Sequence, residues 1–202
     1  MCQLAPANLR APRDVLLRQG DPATHVLVLA AGTVLITRQG LRGQPTLLAV
    51  RGEGELLGDL ALLEGGTRSA TVIAMEPCRL HIVPALEFTR FVAEHQLVAT
   101  LLRHTISRLR EAEQIRVELA TADVSIRLAA TLVRLAALAS AEPGDGFDIR
   151  LTQSELAQLI GASRNAVVIR LARWRAQGWV TTSSGGGLTV TNLAALERLT
   201  VM

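Results

Sequence analysis

Apolar and polar positions come in short bursts over the first third of the chain. Runs such as Val26–Leu29, Thr33–Thr37, Thr46–Val50 and Ala70–Ala74 are rich in β-branched residues. Glycines at 20, 32, 40, 43, 52, 54, 58, 65 and 66 separate them. Short strands between regularly spaced turn residues predict an antiparallel barrel or sandwich from Val15 to about Pro84. Residues 1–14, rich in Pro, Ala and Arg, predict a loose lead-in.

The pattern changes after Pro84. Between Ala85 and Leu119 there is neither Gly nor Pro. Val98, Leu102, Ile106, Leu109, Ala112, Ile115 and Leu119 recur with a mean step of about 3.5 residues, the coiled-coil period. Charges fill the other faces. A long helix with one narrow seam predicts pairing with a second copy in a parallel homodimer, rather than packing on its own barrel. Thr121–Asp123 reads as a hinge, with Asp123 capping a helix from Val124 to Ala139. A loop follows, Ser140 to Gly146.

The stretch from Leu151 to Trp174 writes out two short amphipathic helices. Thr152 and Glu155 form a capping box, in which each satisfies an amide at the other's end of the turn. Leu156, Leu159 and Ile160 supply one apolar face. Gly161 ends the helix by admitting positive φ. Ser163 caps the next helix, whose inner stripe is Val167, Leu171 and Trp174. Two helices at this spacing predict a helix-turn-helix, whose second helix enters the DNA major groove. Trp179–Ser183, Gly185–Gly187 and Leu188–Thr191 predict a β-hairpin wing, and Asn192–Leu199 a closing helix.

Composition narrows the function. The 202 residues allow two modest domains. All 21 basic residues are Arg, and 18 acids leave a net charge of only +3. Evidence for nucleic acid is therefore local: Arg164, Arg170, Arg173 and Arg175 lie between Gly161 and Val180 with no acid among them. A nonspecific architectural DNA-binding protein would need a larger basic surface. Cys2 and Cys78 form no Cys-x-x-Cys pair, and His25, His81, His95 and His104 show no metal-ligand spacing. No metal site is expected. No Ser/His/acid grouping or paired-carboxylate cleft supports an enzyme. No apolar run approaches the roughly 20 residues of a membrane span, and no hydrophobic leader opens the chain. A soluble cytoplasmic protein without membrane partners is expected.

In this order, barrel, long helix and winged helix resemble the bacterial regulators of the cyclic AMP receptor protein and fumarate–nitrate regulator (Crp/Fnr) family. Two segments carry the likeness. Gly54-Glu-Leu-Leu-Gly-Asp-Leu-Ala-Leu-Leu-Glu-Gly-Gly-Thr-Arg-Ser-Ala-Thr is similar to the family's phosphate-binding cassette. Ser163-Arg164 opens a recognition helix, with Asp123 and Arg127 starting the preceding helical layer. The resemblance implies an α+β fold. Residues 1–96 would form an antiparallel β-roll of the jelly-roll, cyclic-nucleotide-binding type. Residues 97–120 would form the dimerisation helix, and residues 121–202 a winged helix-turn-helix.

The cassette supports two readings. A short helix near Leu60–Leu63 would direct its N-terminal amides at an anion, with Arg68 gripping it in bidentate fashion. The candidate effector residues are Gly58, Asp59, Arg68 and Ser69. In the other reading Asp59 caps the short helix and Arg68 pairs with Asp59 or Glu64 as fold. In cyclic-AMP-binding members a Glu in the cassette holds the ribose; here the position is Asp59. The adenine-contacting Thr-Ser pair falls at Ala112 and Glu113, so the resemblance implies weak or absent response to cyclic AMP. No cofactor is expected, and cyclic nucleotide is the alternative effector. Cys78 and His81 lie beyond the segment where haem-binding members carry ligands, which argues against haem.

For DNA, Arg164 is placed to bond guanine O6 and N7, and Asn165 stands where the family commonly has Glu and suits adenine. Val168 and Ile169 face the groove toward thymine methyls. Arg170, toward the inner side of the wheel, snorkels to phosphate. Thr152 and Gln153 are backbone contacts, and Ser163, the cap that opens the recognition helix, belongs to the same DNA-binding set. The implied partners are double-stranded DNA with palindromic half-sites, a second copy through the long helix, and RNA polymerase, with the Ser140–Asp148 loop as its candidate surface.

Overall fold

A computed structural model describes residues 5–40, 43–138, 146–183 and 187–200. The expectations at Cys2, at Ala139, over most of the Ser140–Asp148 loop, and at Gly185 and Gly186 fall outside those residues. In chain order the first elements are β1 (Ala7–Arg10), β2 (Val15–Leu17), β3 (His25–Ala31), β4 (Val34–Gln39), β5 (Pro45–Arg51) and β6 (Leu56–Leu57). Then come α1 (Asp59–Glu64), β7 (Thr71–Ala74), β8 (Cys78–Pro84), α2 (Ala85–Glu94) and α3 (Val98–Thr121). They build two four-stranded sheets, β1-β8-β3-β6 and β2-β7-β4-β5, every pair antiparallel.

The near-continuous apolar run in β3 has a structural reason. Successive side chains point to opposite faces, and both faces are covered. Leu27 and Leu29 join Leu57, Cys78 and Leu80 of their own sheet, and Leu17, Val34, Val72 and Ala74 of the other, in one core. On the opposite face Val26 packs with Leu56, Val83, Phe88 and Val92. Phe88 and Val92, four residues apart, are the buried stripe of α2. Gly32 turns β3 into β4 at φ 93°, where a Cβ would lie 2.8 Å from the Pro77 carbonyl oxygen.

The lead-in needs correction. Ala7–Arg10 is a strand, paired with β8 from Ala7↔His81 to Arg10↔Cys78. It adds to a sheet edge through its backbone and leaves Leu9 80% exposed, so no hydrophobic alternation announces it. The short cassette helix is one residue longer at each end than expected, Asp59–Glu64.

The chain divides into two compact units, one up to Glu111 and one from Ala112. The division falls inside α3 rather than at either of its ends. After α3 come α4 (Val124–Ala136), β9 (Phe147–Ile149), α5 (Gln153–Leu159), α6 (Arg164–Ala176), β10 (Val180–Thr182), β11 (Leu188–Val190) and α7 (Leu193–Thr200). Asp123 caps α4 as expected, accepting hydrogen bonds from the amides of Ser125 (2.6 Å) and Ile126 (3.0 Å). Glu118 accepts both of its bonds from Arg134 Nη1, at 2.9 and 3.0 Å, which ties the end of α3 to α4. The expected flexing point at Thr121–Asp123 therefore lies within the second unit. Its sheet has three strands, β10-β11-β9, not the two of a simple hairpin. β9 is three residues long, too short to show a period.

Candidate functional site

Two places collect the candidate residues, one in each unit. The first is a cavity of about 160 Å³ in the β-roll. Its walls include Leu17, Ile36, Leu57 and Val72, and its polar lining is Arg51, Asp59, Arg68, Ser69 and Arg108. Gly58 opens α1 at φ 82°, with no side-chain cap. A Cβ there would lie 2.5 Å from Arg68 Nη1, so glycine is required both by its backbone and by its neighbour.

Arg68 is 3% exposed. It donates from Nη1 to the Gly58 carbonyl at 2.8 Å and from Nη2 to the His25 carbonyl. Neither Asp59 nor Glu64 pairs with it, which corrects that expectation. Asp59 does not cap α1 either: the N-cap is Gly58, and Asp59, 2% exposed, accepts from Arg108 Nη1 at 3.3 Å. Burial pulls the Arg68 guanidinium below its usual range, and the Asp21 carboxylate, acting from longer range, opposes this. His25 is likewise shifted down, first by burial and then by the Arg68 charge.

Sequence reasoning missed two of these five polar lining residues, Arg51 and Arg108. Arg108 reaches from α3 to three acceptors: Asp59, the Glu55 carboxylate and the Leu56 carbonyl. Its Nε is buried without an acceptor. Arg51 forms a two-pronged pair with Glu111, at 3.0 Å (Nη1–Oε1) and 2.9 Å (Nη2–Oε2). On a helical wheel Arg108 and Glu111 look like ordinary solvated charges. Their partners lie about fifty or more residues earlier, so no local signal marks them.

The second place is the outer face of α6. Its caps and core are as expected. Ser163 Oγ accepts from the Ala166 amide at 3.2 Å, and Val167, Leu171 and Trp174 are buried at 0, 1 and 2% exposure. Thr152 and Glu155 complete both halves of the capping box. Gly161 turns at φ 58°. Arg164 and Asn165 are exposed, Ile169 is 60% exposed, and Val168 is half-buried. A cleft of about 360 Å³ brings Thr152, Gln153, Ser154, Arg164 and Arg175 together. Arg170 stands apart: it is half-buried, and its charge helps hold the Asp123 carboxyl below its usual range, after the Ile126 amide bond, the largest contribution. Among the described residues there is no cluster of three or more His, Cys, Asp or Glu suited to a metal ion, and no helix is long and apolar enough to cross a membrane.

Residues 10–95 match the cyclic nucleotide-binding domain family, and residues 126–199 match the Crp-like helix-turn-helix domain family. A "Cyclic AMP receptor protein" of Thermus thermophilus is 32% identical over 182 residues, which are 90% of this chain and 82% of that one. The chain belongs to the Crp/Fnr family. Another member, a "CRP-like cAMP-activated global transcriptional regulator" of Mycobacterium tuberculosis, is 29% identical across 88% of this chain and 80% of its own. Among solved structures, a Crp-family transcriptional regulator, also from Thermus thermophilus, superposes with a TM-score of 0.80 at 23% identity, covering 96% of this chain and 97% of that one, a likeness of fold. This Crp/Fnr member is accordingly a transcription regulator with a DNA-binding helix-turn-helix, not an enzyme.

Proposed function

We propose that this regulator works in the cytoplasm as a homodimer that reads a palindromic DNA site. Two winged helices would engage half-sites about 34 Å apart. The observation that carries this reading is the face of α6: Arg164, Asn165 and Ile169 point outward, while Val167, Leu171 and Trp174 seat the helix. Arg164 is assigned to a guanine, Asn165 to an adenine, and Val168 and Ile169 to thymine methyls. Ser163, Thr152, Gln153 and Arg170 are assigned to the phosphate backbone.

The α3 seam supports the dimer. Val98, Leu102 and Leu109 are 67, 59 and 57% exposed, and no residue of α3 is buried. A contiguous apolar stripe of this kind is costly to leave in water. In this reading residues 1–96 are the effector-type domain, 97–120 the dimerisation helix and 121–202 the DNA-binding domain.

Cyclic AMP is not the effector in this proposal. Asp59 is already committed to Arg108, and Ala112 and Glu113 offer no hydroxyls where the family's adenine contacts stand. Footprinting at several salt concentrations tests the DNA reading. A protected site that persists as salt rises supports it, and uniform, steeply salt-dependent coverage contradicts it. Calorimetry with cyclic AMP and cyclic GMP tests the effector reading, and micromolar binding of either would overturn it.

A further inference from the structure

The outward face of α3 changes character along its length. From Leu102, alternate steps of four and three residues, the heptad spacing, reach Ile106, Leu109, Glu113, Arg116 and Ala120. All six are exposed in the single chain, Leu102, Ile106 and Leu109 at 59, 39 and 57%. The apolar count instead continues through Ala112, Ile115 and Leu119, and the structure turns the last two toward their own unit. Ile115 is half-buried. A Cβ at Gly161 would lie 3.1 Å from Leu119 Cδ2, so Leu119 rests against the turn between α5 and α6. Glu118 beside it is held by Arg134. The line left facing solvent therefore passes from apolar residues to one acid and one base.

These two charges are not answered inside the chain. Among the described residues the Glu113 carboxylate and the Arg116 guanidinium have no hydrogen bond or ion pair. In a parallel two-stranded coil each seam residue enters a hole made by four residues of the facing helix, its own counterpart and the next seam residue among them. Glu113 would meet Glu113 of the partner subunit, a like-charge contact, and also Arg116 of the partner subunit, an opposite one. A two-fold axis repeats every contact, so the crossed pair forms twice and the charges of the two layers sum to zero. A facing helix with apolar residues in these layers would leave Glu113 and Arg116 desolvated without partners, a large penalty.

We infer that Glu113 and Arg116 are the partner-selecting residues of α3: each Glu113 pairs with Arg116 of the partner subunit, and the chain thereby prefers its own copy over a similar helix that is apolar there. Interhelical ion pairs set the choice of partner in this way. The inference rests on the parallel homodimer proposed above and names what chooses the second subunit.

The test is sedimentation equilibrium of the full chain, without DNA, on the parent and three variants. In a homodimer E113R fills both layers with cations, and R116E fills both with anions. Each is expected to dimerise at least about tenfold more weakly than the parent. Mixed in equal amounts, the two variants recover both crossed pairs, and the mixture is expected to associate within about threefold of the parent. Native mass spectrometry identifies that species as the heterodimer. The double variant E113R/R116E exchanges the charges within one chain and is expected to return to the parent's affinity within the same range. It also reports on the pairs should either single variant fail to fold by circular dichroism. A parent that stays monomeric overturns the inference together with the homodimer. A parent dimer whose single variants associate as tightly as the parent overturns the inference alone, and so do variants that neither mixing nor the exchange restores.

Discussion

Replacing Gly58 with Ala perturbs the cavity at its tightest point. Two costs follow from the geometry. The residue sits at φ 82°, where an L side chain costs roughly 1–2 kcal/mol. The new Cβ would lie 2.5 Å from Arg68 Nη1 and 3.0 Å from Leu17 Cδ1. Arg68 must retreat, and it is buried, so its 2.8 Å bond to the Gly58 carbonyl is lost or bent at about 1–3 kcal/mol. Together the costs come to about 2–5 kcal/mol, a large part of the roughly 5–15 kcal/mol that holds a typical domain. Urea unfolding measures it. The chain has no Tyr, and its two Trp, Trp174 and Trp179, both lie in the second unit with ring centroids 6.1 Å apart. Far-UV circular dichroism reports both units, whereas tryptophan fluorescence reports the second. The expected result is an early dichroism transition with the fluorescence transition of the parent. A variant within about 0.5 kcal/mol of the parent, the range of an ordinary surface change, would refute the tight contact between position 58 and Arg68.

Asp123→Ala removes the α4 cap and is expected to cost about 1 kcal/mol in thermal or urea unfolding, with Asp123→Asn close to neutral. Because the folded Asp123 carboxyl titrates below its unfolded value, its contribution is present above about pH 3.9 and fades as pH falls through the lower folded value. The folded state also lowers the pKa of His25, so the unfolded chain binds its proton first, and stability falls as pH drops below about 6.5. His25→Gln should flatten that part of a melting profile taken between about pH 8 and pH 5. Leu102→Arg with Leu109→Arg is expected to give a folded monomer by sedimentation, since both sites are more than half exposed in the single chain; a dimer that survives would contradict the seam.

Much of the second unit was legible because its signals are local. Thr152 and Glu155 are three residues apart, Ser163 and Ala166 likewise, and Val167, Leu171 and Trp174 follow one helical stripe. The β-roll core was readable for a similar reason: glycine turns and β-branched runs mark strands whichever strand they pair with. What stayed hidden depends on the tertiary fold. β1 pairs with a strand about seventy residues away and buries little. Arg108 meets Asp59 across an interval of 49 residues, and Arg51 meets Glu111 across 60. The cassette motif marked Arg68 and Asp59, and one of its two readings paired Arg68 with Asp59 or Glu64, whereas the fold gives Arg68 and Asp59 different partners.

Selection of DNA from a random library, performed with the parent chain and with Arg164→Ala and no small molecule added, tests the central claim most directly. The account predicts a two-fold symmetric motif for the parent. It also predicts loss of preference at one symmetric position in the variant, worth roughly 1–3 kcal/mol of discrimination. No enriched motif, or the same motif at the same strength without Arg164, would contradict it.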